Sequence, residues 1–273
     1  MMLRLLCLLL LLANLAQAQN ESALMEQLTR RLTETAKYSR PWGYVYYHNW
    51  LDSTIRAGGK DIGDHTFYKG LSLLEQRAYD QAVPLLEEAC RQQPKHHGYV
   101  GWVYLDILRD YPRALTHYDA YDALTPDVDD REGDHAVSYL RAEIYRFMGR
   151  PAEALPGYDK AIALIEDKHG PSWVNYRYYL ARGQARLALG MVDDALADFN
   201  KAIPNNPSSA ASSYWKGRAL QAQNRPVEAR MAYNDALLWL RNSTVEQDRY
   251  YEEQDAVYEQ QVDTALASLP KSP

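Results

Sequence analysis

One spacing of small and large apolar residues recurs five times along the chain. A small residue is followed twelve positions later by Ala, four positions after that by a large aromatic residue or Leu, and three positions later by another small residue. In the fourth copy these are Gly183, Ala195, Phe199 and Ala202. Since residues at i, i+4 and i+7 share one helix face, each copy predicts two helices packed along a narrow seam.

The other four copies keep this order with local departures. Trp102 and Tyr121 replace the small residues of the second copy, which predicts a wider helix pair or a shifted register there. The positions in the first, second, third and fifth copies are Gly70, Ala82, Leu86 and Ala89; Trp102, Ala114, Tyr118 and Tyr121; Ala142, Ala154, Tyr158 and Ala161; and Gly217, Ala229, Tyr233 and Ala236.

This pattern resembles the tetratricopeptide repeat, a helix-turn-helix unit with a period of 34 residues. Ala195 and Ala229 are offset by that period, while longer offsets flank the third copy. The resemblance implies an all-α fold, a right-handed α-solenoid of about five repeats over residues 63–243. The expected repeats span residues 63–96, 97–128, 135–168, 176–209 and 210–243.

The segments on either side of the array also have helical patterns. Residues 19–62 predict an N-terminal helical segment, within which the aromatic stretch 42–56 allows a helix or a short strand; the helical neighbourhood favours a helix. Residues 244–273 predict a capping helix and tail, with the helix running from Val245 to Leu269 and a polar outer side. A docking helix for a partner is the alternative.

The first 18 residues have the features of a secretory signal peptide. Arg4 precedes the apolar run Leu5–Leu12, and Ala16-Gln17-Ala18 offers small residues for cleavage near Ala18. We therefore expect an exported protein, periplasmic or secreted, with no integral membrane span after cleavage. The apolar run is shorter than the roughly 20 residues that span a bilayer, although an uncleaved anchor is the alternative.

Composition excludes several classes of function. The formal charge is −6, which disfavours a nucleic-acid partner because phosphate binding needs a basic surface. Cys90 is the only cysteine beyond the leader, so the mature chain has no internal disulfide. The acidic linker 127–134 departs from a calcium loop because Arg131 occupies a ligand position. The sequence carries no catalytic motif, and we expect no enzyme activity, cofactor or metal.

Tyrosine is unusually frequent, with 22 residues against 3 phenylalanines. The resemblance implies that first helices line a concave groove, and aromatic and Arg residues are typical of interaction surfaces. Packing of these tyrosines against neighbouring repeats is the alternative. The candidate partner-binding residues in the groove are Phe67, Tyr99, Tyr139, Glu143, Arg146, Arg177, Gln184, Tyr214 and Arg218.

These observations favour an exported scaffold that binds a protein or an extended peptide in its groove. Tyr and Trp rings also stack on sugars, so a glycan-binding accessory protein of the cell envelope is a second hypothesis. An enzyme without a recognisable motif is the third, and no set of acid, base and nucleophile supports it.

Overall fold

The computed structural model describes residues 42–59, 61–242 and 255–270. Outside the described residues lie the predicted leader (1–18), residues 19–41 and 60 of the predicted N-terminal segment, and residues 243–254 and 271–273 of the predicted C-terminal helix and tail. The chain divides into two compact units, residues 1–93 and 94–273, each described here by itself.

The first unit contains three described helices: α1 (Trp42–Ala57), α2 (Ile62–Glu75) and α3 (Tyr79–Gln92). The aromatic segment 42–56 is therefore a helix. At Gly70 of α2, a Cβ atom would lie 2.8 Å from the Leu86 side chain of α3, so the absence of a side chain allows these two helices to pack closely. Cys90 is buried in α3, and burial raises the pKa of its thiol to about 12.

The described residues of the second unit form four helix pairs and a final helix. The bounds are α4 (His97–Trp102), continued by a π-helix (Val103–Ile107), and α5 (Tyr111–Asp122); α6 (Val137–Phe147) and α7 (Pro151–His169); α8 (Tyr176–Ala188) and α9 (Val192–Asn205); α10 (Ala210–Ala222) and α11 (Pro226–Asn242); and α12 (Glu259–Ser268). Short 3₁₀ turns lie at Pro94–His96 and Pro171–Trp173.

The seam between the two helices of a pair is as close as the repeat spacing predicts. A Cβ atom on Gly183 of α8 would lie 2.5 Å from Phe199 of α9, and one on Gly217 of α10 would lie 2.5 Å from Tyr233 of α11. Both rings are fully buried. Since a real Cβ atom does not approach so closely, only glycine permits this packing at the two positions.

The second copy has its seam one residue earlier than the repeat pattern suggests. Gly101, not Trp102, faces Tyr118, with 3.1 Å between a Cβ at Gly101 and the Tyr118 ring. Gly101 and Tyr118 are 17 positions apart, whereas Gly183 and Phe199 are 16 apart. The π-helix Val103–Ile107 accommodates the extra residue, because an i→i+5 turn inserts one residue into a helix. The predicted register shift is therefore present.

The acidic linker before α6 is more ordered than a solvated loop. Residues Arg131–Glu132 and His135–Ala136 pair as a two-residue antiparallel hairpin. Asp129 is buried at its side chain and accepts hydrogen bonds from the Ser138 backbone N–H (3.0 Å) and hydroxyl (2.6 Å). This carboxylate therefore satisfies the first turn of α6, where backbone N–H groups lack helical partners.

The C-terminal helix begins later than the sequence pattern predicts. It runs from Glu259 to Ser268, and residues 255–258 are not helical, so the expectation of a helix through these four residues is wrong. Val262 and Leu269 are buried against Tyr233 and Leu220, while Tyr258 is exposed. Among the described helices, none combines the length and apolar character needed to cross a membrane.

Gly217→Ala is expected to destabilise the second unit by about 1–3 kcal/mol through overpacking against Tyr233. At an open helical position the same change would stabilise by about 1 kcal/mol through helix propensity. The sign of the stability change therefore shows whether residue 217 lies in a close seam. Urea denaturation provides the measurement. Asp235→Ala, at an exposed position of α11, is the control and should change stability by less than about 0.5 kcal/mol. Unchanged or increased stability of Gly217→Ala would contradict the close seam.

Candidate functional site

The first helices α6, α8 and α10 of the last three pairs contact one another in order. On each of them, the residues one and four positions after the small seam residue lie on the same side. We call these six residues the groove surface: Glu143, Arg146, Gln184, Leu187, Arg218 and Gln221. Three of these residues carry a charge and two carry a side-chain amide, so five of the six have a side chain that can form hydrogen bonds.

Arg146 of α6 is held in one orientation by two neighbours. Its Nε atom donates to Glu143 Oε1 (3.1 Å) and to the Tyr158 hydroxyl (3.0 Å), and its Nη2 atom donates to Glu143 Oε2 (2.8 Å). The Tyr158 hydroxyl in turn donates to Glu143. The guanidinium also lies 4.3 Å from the centroid of the Phe147 ring. We call Glu143, Arg146 and Tyr158 the Arg146 site.

The protonation states of this site follow from its burial and its charges. Burial, followed by the negative charge of Glu143, holds the pKa of Tyr158 well above its usual value, so the phenol keeps its proton and donates it. Burial alone would lower the pKa of Arg146, but Glu143, Tyr158 and Asp255 outweigh it and the pKa is raised. The site therefore presents a fixed positive fork at neutral pH.

The free edge of this fork binds a carboxylate from the far end of the chain. Arg146 Nη1 donates to Asp255 Oδ1 (3.0 Å), and Nη2 donates to Asp255 Oδ2. The pair is bidentate, which is the strongest geometry for an arginine and a carboxylate. Arg146 is 12% exposed at its side chain, whereas Asp255 is 34% exposed. Asp255 therefore stays partly exposed to solvent while it binds the more buried Arg146.

Two residues further on, Val257 packs against apolar side chains of the next two pairs. One cluster contains Leu180, Phe199 and Ala211, and the other contains Tyr214 and Tyr233. Residues Asp255–Val257 therefore cross from the Arg146 site on α6 to the apolar surface formed with α8 and α10.

Gln184 of α8 has a buried amide whose nitrogen and oxygen both lack a hydrogen-bond partner among the described residues. The corresponding residue of α6, Glu143, accepts from the Tyr158 hydroxyl. In α10 the Tyr233 hydroxyl donates instead to Gln221 (2.7 Å), the groove residue four positions after Gly217. In the α8–α9 pair the seam residue is Phe199, which has no hydroxyl to offer. The Gln184 amide is therefore a buried polar group without a protein partner in the described part of the chain.

The converse mismatch occurs in the α4–α5 pair. The seam ring there is Tyr118, whose buried hydroxyl has no partner in the described part of the chain. The groove positions opposite it hold Trp102 and Leu105, whose side chains carry no hydrogen-bond acceptor. The seam hydroxyl is thus satisfied only where a polar residue occupies the groove surface.

The last pair is partly covered by α12. Gln221 donates to Ser268 (3.0 Å), and Arg218 donates to the Tyr214 hydroxyl (3.2 Å). A cleft of about 420 Å³ lies between α10 and α12, and its lining includes Tyr214, Arg218 and Gln221.

The remaining predicted residues fall into packed or peripheral positions. Tyr139 is 5% exposed and stacks on Tyr178 at 3.9 Å between centroids, so the contact between repeats accounts for its ring. Tyr99 is half-buried beside Trp102, and Arg177 lies against Tyr176. Phe67 is buried in the first unit.

Of the predicted residues, Glu143 and Arg146 form one hydrogen-bonded site. Asp255 and Val257 were not predicted as site residues; both lie within the predicted capping helix, where nothing in the pattern distinguished them. His97 and His117 were not predicted either; their Nδ1 atoms lie 2.8 Å apart, with Tyr104 stacked on His117. Nothing in their spacing of 20 residues indicates the pair.

Comparison with protein families gives two matches, both described as tetratricopeptide repeat. One covers residues 134–208, and the other covers residues 67–129 and 180–244. Together they span more than half of the chain. The search of curated proteins gives no match.

Solved structures share the fold. YrrB, described as a tetratricopeptide repeat protein with an unusual peptide-binding site, has a TM-score of 0.54 at 17% identity, covering 70% of this chain and 93% of its own. MamA from Desulfovibrio magneticus RS-1 (residues 41 to the end) gives 0.57 at 19% identity, covering 67% and 97%. Another MamA structure gives 0.55 at 14%, covering 71% and 99%. At these identities the likeness establishes the fold alone.

Gln184→Leu is expected to stabilise the protein by about 1–2 kcal/mol, because it replaces two unpartnered buried polar atoms with an apolar group of similar volume. The matched control is Gln221→Leu, which should destabilise by about 1–3 kcal/mol because it leaves the Tyr233 hydroxyl unpaired. Thermal and urea unfolding of both variants measure the difference. Equal destabilisation by the two substitutions would mean that the Gln184 amide is already satisfied.

Proposed function

The chain belongs to the tetratricopeptide repeat family, and from that premise we propose that it is a scaffold that binds an extended segment of a protein partner along the groove surface of its second unit. The proposal makes α6, α8 and α10 the binding helices. Arg146 provides the charged contact to a carboxylate of the partner.

The observation that carries the proposal is the Arg146 site. Glu143 and Tyr158 use one edge of the guanidinium and leave the other edge for an incoming carboxylate. A buried Arg that served only the seam would have its donors used within its own pair. This fork instead binds a group supplied by a separate chain segment.

A polypeptide suits this surface better than a sugar. Stacking on a sugar ring needs an open aromatic face, but Tyr139 and Tyr214 are 5% and 6% exposed. The polar group that this surface offers to a partner is the guanidinium fork of Arg146, which matches a carboxylate of an extended peptide.

We also propose that the scaffold is exported, on the strength of the signal-like residues 1–18. Expression of the full chain in a bacterial host and mass determination of the mature protein test this directly. The expected product begins at Gln19 and is recovered outside the cytoplasm. A cytoplasmic product that retains Met1 or Met2 would contradict export.

Selection from a phage-displayed random peptide library on the immobilised full chain tests the binding function. Peptides that bind the groove are expected to lose at least about tenfold in affinity for Arg146→Gln, because one charge-assisted bidentate contact is removed. Isothermal titration calorimetry measures each affinity.

Arg150→Gln is the matched control for the selection. Arg150 pairs with Glu153 three positions away, as Arg146 pairs with Glu143, but it lies in the turn between α6 and α7. This control should bind the selected peptides as the wild type does. Selected peptides that bind Arg146→Gln with wild-type affinity would place the binding surface elsewhere and overturn the proposal.

A further inference from the structure

We infer that the groove surface selects a segment with a carboxylate followed two residues later by a small aliphatic side chain, and that the chain's own Asp255–Val257 is a resident copy of that ligand, which a partner segment displaces. This inference rests on the proposed function and names both the ligand class and the regulation of the same site. Four features of the second unit support it.

The first feature is the conformation of the segment. Residues 255–258 are not helical, and Tyr258 has extended backbone angles (φ −113°, ψ 152°). The segment passes from a turn at Asp255 to this extended residue, and within it Asp255 bonds Arg146 while Val257 packs on the apolar clusters of the last two pairs. A non-helical segment thus engages the groove surface through two side chains, as a bound peptide does.

The second feature is the charge balance of the Arg146 site. Arg146 is already paired with Glu143, so the site is neutral without Asp255 and carries an excess negative charge with it. Departure of Asp255 thus leaves no buried charge without a partner, which is the usual penalty for breaking a buried ion pair. A carboxylate from a partner can replace Asp255 and accept the same two hydrogen bonds from Arg146.

The third feature is that α12 is attached by contacts of its own. Val262 and Leu269 are buried in the last pair, and Glu259 forms an ion pair with Arg241 at 2.9 Å. Gln221 also bonds Ser268. Release of Asp255–Val257 therefore does not require the capping helix to leave its position.

The fourth feature is the contrast with a structural ion pair in the same unit. Asp198 is 2% exposed and bonds both Arg182 and Arg186. Its removal would leave two guanidinium groups sharing one remaining carboxylate, that of Asp159. Asp255 is 34% exposed at its side chain and binds one Arg, which keeps Glu143 as its own carboxylate partner, so the Asp255 contact is more easily replaced.

The experiment measures binding of a fluorescein-labelled peptide with the sequence of residues 253–260 (EQDAVYEQ) to the full chain by fluorescence anisotropy. In the wild type the internal segment competes at a high effective concentration. The double variant Asp255→Asn/Val257→Ser vacates the site and is expected to bind the peptide at least about tenfold more tightly than the wild type. A peptide with Asn in place of its Asp should lose at least about tenfold in affinity for the double variant.

Two control variants of the full chain define the specificity. Asp159→Asn removes an Asp that pairs with the largely buried Arg182 away from the groove surface, and it should behave as the wild type. Arg146→Gln in the vacated background should abolish the gain in affinity. Circular dichroism and the Tm of each variant verify that it is folded.

Equal affinity of the peptide for the wild type and a folded vacated variant would overturn the inference, as would equal affinity of the Asp and Asn peptides. Absence of binding to the folded vacated variant would also overturn it. If library-selected peptides still depend on Arg146 in that case, the proposed binding function stands and only the resident-ligand inference fails. If the library also yields no Arg146-dependent peptide, both fail.

Discussion

The close approach of the two helices in each pair is the constraint from which the rest of the second unit follows. A residue with little or no side chain on the first helix faces a large buried residue on the second, as Gly217 faces Tyr233. Because protein interiors are packed at near-crystalline density, a ring held this way has no freedom to shift. The outermost atom of the ring is therefore fixed relative to the first helix.

This constraint explains the use of tyrosine at two of the seams. A seam tyrosine delivers its hydroxyl to the groove surface, where Tyr158 meets Glu143 and Arg146, and Tyr233 meets Gln221. The same hydroxyl satisfies the polar requirement of a buried phenol. Where Phe199 takes the place of Tyr, the Gln184 amide lacks such a partner among the described residues. The choice of ring inside the seam thus decides which groove residues are held by a seam hydroxyl and which are not.

The features that the sequence predicts well are local ones. The spacing of Gly183, Ala195 and Phe199 lies within 16 residues, so periodicity alone predicts the pair and its seam. The register of the second pair was harder to predict, because Trp102 occupies the position expected of a small residue while Gly101 performs the packing role. Only the backbone shows the π-helix that reconciles the two.

The candidate site is predictable only in part for the same reason. Glu143 and Arg146 are three residues apart, so helix geometry places them together. Asp255 lies 109 residues from Arg146, and no periodicity connects such distant positions. The amphipathic pattern at the C-terminus predicted a helix through Asp255 and Val257, whereas the groove contacts of these residues require a non-helical chain. Tertiary contacts therefore override the local helical pattern in this segment.

If the Arg146 fork holds Asp255–Val257 as a replaceable ligand, a partner peptide should release this segment while α12 stays in place. Amide hydrogen exchange followed by NMR on the ¹⁵N-labelled full chain tests this most directly, with and without a saturating unlabelled acidic peptide. We expect faster exchange at Ala256 and Val257 on peptide addition, with the amides of Tyr258, which Gln261 of α12 binds, and of Val262 to Leu266 still protected. Unchanged exchange at residues 256 and 257 while the peptide is bound, or loss of protection throughout α12, would contradict the proposed displacement.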